Sequence, residues 1–140
     1  MKYLCLICAE TMMEQMPEDE ARACLAEYGQ VIEEIRRSGH LVGVNRLQPP
    51  RTATTVRVRD GKVSVTDGPF AETKEQLGGY FLIEAADLNE AIRLAARIPG
   101  AKAGCVEVRP VAEDAPTLSV LGLVDSGARR SRLLRRHEPT

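Results

Sequence analysis

Tryptophan is absent, and only three tyrosines and two phenylalanines occur in 140 residues. With so few aromatics, a net charge of −1 and no basic field over the whole chain, little is available to stack on bases or follow a phosphate backbone. No direct contact with nucleic acid is expected. Long apolar runs are missing too. The opening stretch Met1 to Ala9 is cut short by Glu10 and Glu14 and reads as a strand rather than a leader peptide. Nothing reaches the roughly 18 to 20 apolar residues of a membrane helix, so no membrane partner and a cytoplasmic location are expected. His40 is the one histidine before the C-terminal tail, and Cys5, Cys8, Cys24 and Cys105 are spread without a disulfide framework or a metal-ligand spacing. Neither a metal nor a cofactor is expected, because phosphate-loop and dinucleotide fingerprints are absent as well. The spacing Cys5-x-x-Cys8 sends two thiols to opposite faces of a strand, which favours reduced structural cysteines over a redox pair.

What is present has the balance of a folded domain, with 44% hydrophobic and 28% charged residues. Lys2 to Cys8 forms a first strand, apolar on both faces as an interior strand would be. Pro17-Glu18-Asp19-Glu20 opens a helix with acids at its positive end, and Gly39 stops it after Arg36-Arg37. Its apolar stripe is expected at Ala21, Leu25, Tyr28, Ile32 and Ile35. Leu41 to Leu47 is the second strand. Thr54–Arg59 and Lys62–Thr66 flank Asp60-Gly61, the signature of a two-residue hairpin that puts Val56, Val58, Val63 and Val65 on one face. Arg57, Arg59 and Lys62 share the other. Gly79 to Ala85 is a further strand, Asp87-x-x-Glu90 caps a second helix with Leu88, Ala91, Ile92, Ala95 and Ile98 inward, and Cys105 to Val111 closes the set. The order is α+β, with β-α-β twice around a hairpin, the split βαβ plan of a ferredoxin-like fold with an inserted β-hairpin. Residues 1–111 make that domain. A sheet with both helices on one side leaves its other face bare, and its apolar strands argue for a homodimer.

Between the hairpin and the next strand lies Thr66 to Gly79, richer in turn formers and charge than a short connector requires. Gly68 suits a positive φ, Pro69 fixes its own, and the Asp67 carboxylate is placed to accept nearby amides. From Pro69 a short helix is expected, with Glu72 in its first turn and Gly78-Gly79 as its stop. Two readings of Asp67 stand: a turn cap, or a carboxylate beside open amides that serves as acid or base. Asp67-Gly68-Pro69-Phe70 followed by Ala-Glu-Thr-Lys-Glu-Gln-Leu-Gly-Gly-Tyr-Phe closely resembles the signature of the DGPF-domain proteins, a branch of the YCII-related family. Gln48-Pro49-Pro50 with Thr52 to Val58, Ala95 to Pro99 and Val106 to Val111 extend the likeness from Met1 to about Val111. The resemblance implies a ferredoxin-like domain that pairs into a dimeric α/β barrel, and implies no particular reaction. YCII-related relatives use a His-Asp pair with the histidine in the first helix, and the first helix here has none.

The candidate site gathers Asp67 as the catalytic carboxylate with Tyr28, Arg57, Gly68, Pro69, Phe70, Glu72, Lys74 and Glu75 as ligand contacts, suited to a small polar or anionic metabolite. The opposing readings are a solvated face for Glu72, Lys74 and Glu75, a core position for Tyr28, and a helix-end cap for His40. Whether the protein is an enzyme is left open. Residues 112–140 form a tail with a linker, an apolar run at Thr117 to Val124 and a basic segment around Arg129 to Arg136. DGPF-type genes stand beside genes for extracytoplasmic-function sigma factors, so the alternative is a regulatory module whose tail meets a sigma factor.

Overall fold

The computed structural model describes residues 1–113; the linker from Asp114, the apolar run and the basic segment of the tail lie outside the described residues. Six strands and three helices alternate in the order β1 (Lys2–Ala9), α1 (Glu18–Arg37), β2 (Leu41–Arg46), β3 (Thr54–Arg59), β4 (Lys62–Asp67), β5 (Gln76–Glu84), α2 (Leu88–Ala95), α3 (Gly100–Ala103) and β6 (Cys105–Pro110). Single 3-10 turns at Met13–Gln15 and Pro50–Thr52 mark the entries to α1 and β3. The main sheet has the order β2-β5-β1-β6 and is antiparallel throughout. This α+β arrangement is consistent with a ferredoxin-like fold.

Alternation along the strands decides which side the helices cover. Tyr3, Cys5, Phe81 and Ile83 lie within a core completed by Val31 and Ile35 from α1 and by Ala91, Leu94, Ala95 and Ile98 from the α2 region. Both helical stripes are displaced from their sequence expectation. In α1 the inward set is Tyr28, Val31, Ile32 and Ile35, spaced i, i+3, i+4, i+7, while Leu25 is 48% exposed. In α2, Leu94 replaces Leu88 and Ile92, which face outward. Leu88 is the first residue of that helix, and the stripe that reaches the sheet runs through 91, 94, 95 and 98. The helix also stops at Ala95 rather than at Pro99, and α3 follows as a separate turn.

The opposite face of the sheet is uncovered. By register Leu4 and Leu6 stand there beside Leu82 and Tyr80, with Arg109 and Glu107 across β6. All four apolar residues are only part-buried, so β1 is covered on one side and not on two. β3 and β4 form a two-stranded ribbon of their own, pairing Val56 with Val65 and Val58 with Val63. Asp60 and Gly61 take positive φ values of 52° and 72°, as a primed two-residue turn requires. The four valines are 56–68% exposed. At its base the ribbon is latched by Gly68 N–H donating to Ala53 O at 2.7 Å and Thr55 Oγ1 donating to Gly68 O at 2.8 Å.

The helix expected from Pro69 does not form. Residues 69–75 run without helix into β5, which begins at Gln76. Local side-chain bonds stabilise this path: Thr73 Oγ1 donates to Glu75 O at 2.6 Å and Gln76 Nε2 to Thr73 O at 2.7 Å. Gly78 and Gly79 therefore sit inside a strand. A Cβ on Gly79 would lie 2.8 Å from Asn45 O, so this glycine permits β2 and β5 to approach rather than ending a helix.

Candidate functional site

The segment from Asp67 to Glu75 spans the gap between ribbon and sheet, and its residues part company along the way. Asp67 ends β4 opposite Thr54, exposed, with no side-chain partner for its carboxylate among the described residues. The turn cap expected of it is supplied instead by the Ala53 and Thr55 latch described above. Gly68 does adopt a positive φ, 95°. Arg57 lies opposite Ser64, on the ribbon face away from the valines, whereas Asp67 shares the valine face because it is two residues from Val65. The ribbon thus holds Asp67 and Arg57 on opposite sides and does not bring them together. Pro69 is part-buried, Phe70 is 82% exposed and Glu72 is exposed.

The far end of the segment is tied to the main sheet. Lys74 Nζ pairs with Glu10 Oε1 at 3.1 Å, fixing the segment to the end of β1. Glu75 Oε2 accepts from Cys105 Sγ at 3.0 Å, fixing it to β6. That carboxylate, followed by desolvation, pushes the Cys105 thiol up to about 11. Directly across the β1–β6 ladder stands Cys8, whose thiol is itself raised, chiefly by burial. Glu75 also borders an open cleft of about 450 Å³. Ala9, Glu10 and Thr11 at the end of β1, Gln15, Met16 and Pro17 from the approach to α1, Glu20 in its first turn, and Ala103 line the rest. Three acidic residues border this space, and one of them, Glu10, is paired with Lys74.

Tyr28 lies elsewhere. Its hydroxyl accepts from Gly100 N–H at 3.0 Å, capping the first amide of α3, and burial pushes the pKa of the phenol up by more than that bond lowers it. Gly100 has no room for a Cβ, which would stand 2.5 Å from Ile7 Cγ2 and 2.7 Å from the Tyr28 hydroxyl. Tyr28 is a core residue with a structural hydrogen bond, on the helix side of the sheet. His40 joins two helix ends: Nδ1 meets Ser38 Oγ at 2.7 Å and Nε2 meets Glu90 Oε1 at 3.2 Å. Glu90 accepts from Ala86 N–H, the main cause that holds its carboxyl below the usual range, and Asp87 caps α2 by accepting from Glu90 N–H at 2.9 Å. The ring meets no terminal carbonyl of α1; the cap expected of His40 is made by Ser38 Oγ, which donates to Ile35 O at 2.8 Å.

Of the sequence candidates, then, the structure assembles Lys74 and Glu75 with residues that sequence reasoning passed over: Glu10, Glu20, Cys8 and Cys105. Comparison with known proteins agrees with the architecture. The YCII-related domain model matches residues 1–114. The chain belongs to the YCII-related family. This family member is also 38% identical over 105 residues to the uncharacterized protein R00369 of Rhizobium meliloti (strain 1021), an alignment covering 74% of this chain and 85% of that protein. Among the described residues of the YCII-related chain, no helix is long and apolar enough to cross a membrane.

Proposed function

We propose that this YCII-related protein, as a member of the DGPF branch, binds a small polar molecule in the cleft beside Glu75 and works as a homodimer. One observation carries the ligand reading: Glu75, Glu10 and Glu20 come from three separate segments and converge on one open cleft of about 450 Å³. A space of that size matches a metabolite, and its lining is acidic. Carboxylates accept hydrogen bonds, so the ligand that fits is one that donates them, a polyhydroxyl compound or an amine, in preference to an anion. Arg57, the residue that favoured an anion, belongs to the ribbon and not to this cleft.

The dimer reading draws on two bare surfaces, the open face of the sheet and the valine face of the ribbon. Two copies related by a twofold axis, sheet face to sheet face, would bury Leu4, Leu6, Tyr80 and Leu82 and complete a dimeric α/β barrel, with the ribbon as an insertion between the two βαβ halves. Asp67 and Phe70, both exposed at the ribbon's exit, would then lie where a second copy can reach them. Acid–base work by Asp67 depends on such a partner to complete its surroundings.

A thermal-shift screen against small polyols, amines and carboxylates at fixed protein concentration tests the ligand reading. A compound at about 100 times its dissociation constant adds about 2.7 kcal/mol of stability. The expected hit stabilises the wild type and not Glu20→Gln, with the two unliganded proteins melting alike. Stabilisation confined to anions and lost in Arg57→Ala would overturn the cleft assignment. Light scattering at micromolar concentration tests the dimer, which a strictly monomeric mass would refute.

A further inference from the structure

Cys8 and Cys105 occupy directly opposed positions of the antiparallel β1–β6 ladder. Opposed residues in such a ladder hold their Cα atoms about 4.5 or 5.5 Å apart, depending on whether the pair exchanges hydrogen bonds. Both separations fall in the roughly 4.4–6.8 Å range that a disulfide spans. Side chains at opposed positions also leave the sheet on the same face, with Cβ atoms about 4.5–5.5 Å apart, so an approach of the two strands by about 1 Å brings them into the roughly 3.5–4.5 Å that a disulfide needs. The remaining cysteines have no such arrangement: Cys5 is buried on the other face of β1, and Cys24 is on α1. The third member of the cluster is Glu75, whose carboxylate accepts the Cys105 thiol proton at 3.0 Å and borders the acidic cleft.

We infer that Cys8 and Cys105 are an oxidant-responsive pair that closes to an intrachain cross-strand disulfide on reaction with a hydroperoxide, and that closure releases the Glu75 carboxylate to the cleft. Cys105, the exposed member, lies on the edge strand β6 at the end of its ladder with β1, at the margin of the face that a second copy would cover, and reacts first. Its thiolate attacks a peroxide oxygen, the O–O bond breaks, and the sulfur becomes a sulfenic acid while the other oxygen leaves as alcohol or water. The Cys8 thiolate then attacks that sulfur and displaces hydroxide, which takes up a proton as water. Two thiols give up two electrons and two protons, and one hydroperoxide is reduced to alcohol and water. In the resting state the thiolates are scarce, because the Glu75 carboxylate holds the Cys105 proton in place and burial disfavours the Cys8 anion. The pair therefore reacts slowly, as a recorder of oxidant load rather than a turnover peroxidase. Once the S–S bond forms, Cys105 has no proton to donate and Glu75 regains a free acceptor. That last consequence rests on the ligand reading of the cleft; the disulfide itself does not.

The test treats the full chain with hydrogen peroxide at neutral pH, blocks remaining thiols and maps cysteine-containing peptides by mass spectrometry. One reducible intrachain link between Cys8 and Cys105 is expected, kept in Cys24→Ser and lost in Cys8→Ser and in Cys105→Ser. Sulfinic or sulfonic acid at Cys105 without a link, or a link between two chains on a non-reducing gel, overturns the proposal. Glu75→Gln removes the charge that retains the proton, so the link should form severalfold faster at neutral pH; an unchanged rate overturns the role given to Glu75. With a hit from the ligand screen in hand, reduced and oxidised protein are titrated side by side. Equal affinities overturn the coupling to the cleft and leave the mapped link standing, whereas tighter binding by the oxidised form supports both.

Discussion

Strand β5, apolar on both faces through Tyr80-Phe81-Leu82-Ile83, and the β3–β4 ribbon, where valine alternates with polar residues, meet different surroundings. Phe81 and Ile83 lie under helices with essentially no exposure, while Val56, Val58, Val63 and Val65 keep more than half of their surface in water. The difference is one of cover. Helices α1 and α2 follow their strands closely enough in sequence to fold back over the main sheet, and among the described residues no helix follows the ribbon. A two-stranded ribbon alone is marginally stable in water, so an apolar face left bare on one adds little to its stability. Alternation thus shows that a strand has an apolar side, and leaves open what will meet it.

The sharpest contrast comes from truncating one residue in each region. Phe81→Ala empties a fully buried site and should cost about 3–5 kcal/mol in denaturant unfolding. Gly104→Ala attacks the covered sheet at its seam, where a Cβ would stand 2.1 Å from Cys8 O; a loss of about 1–3 kcal/mol and faster amide exchange along β6 are expected. Asp87→Ala removes the cap of a covering helix and should cost about 1 kcal/mol. The core also carries a pH signature. Burial pushes the Cys5 thiol up to about 11, against an ordinary value of 9.0, so the unfolded chain gives up that proton first. The contribution is whole below pH 9 and is lost as pH rises toward 11, so the melting temperature should fall less steeply over that interval in Cys5→Ala. The smallest effect belongs to the ribbon. Val58→Thr should change stability by no more than about 0.5 kcal/mol in dilute solution. A loss there as large as that of Phe81→Ala would break the comparison, by showing that the ribbon is covered in the working assembly.

How far the fold can be read from sequence depended on the range of the signal. Asp60-Gly61 fixes the ribbon register within a dozen residues, and the same register already implies that Asp67 and Arg57 diverge, since one falls in step with Val65 and the other out of step with Val56. The segment after Pro69 misled because Pro followed by an acid and later by paired glycines is also how a helix is punctuated. Contacts that decide against it, Asn45 pressed on Gly79 and Thr73 closing on Glu75, come from strand pairing and from a side-chain turn that propensity does not encode. The helical stripes were legible to within one step of the helix; which step wins depends on where the sheet lies. Cys8 and Cys105 were separately visible and jointly invisible, because their meeting requires the register of β1 against β6, set from opposite ends of the domain.

Ala53 and Gly68 lie back to back, joined by one 2.7 Å hydrogen bond, and everything between them is ribbon. In the geometry of the chain they are neighbours, although fourteen residues separate them in the sequence. The ribbon is therefore a cassette: it leaves the domain and returns at nearly one point, so a short loop could bridge its ends, or a different hairpin could be spliced in, without asking the main sheet to move. A lineage carrying this scaffold could exchange what the domain reaches toward while keeping unchanged what holds it together.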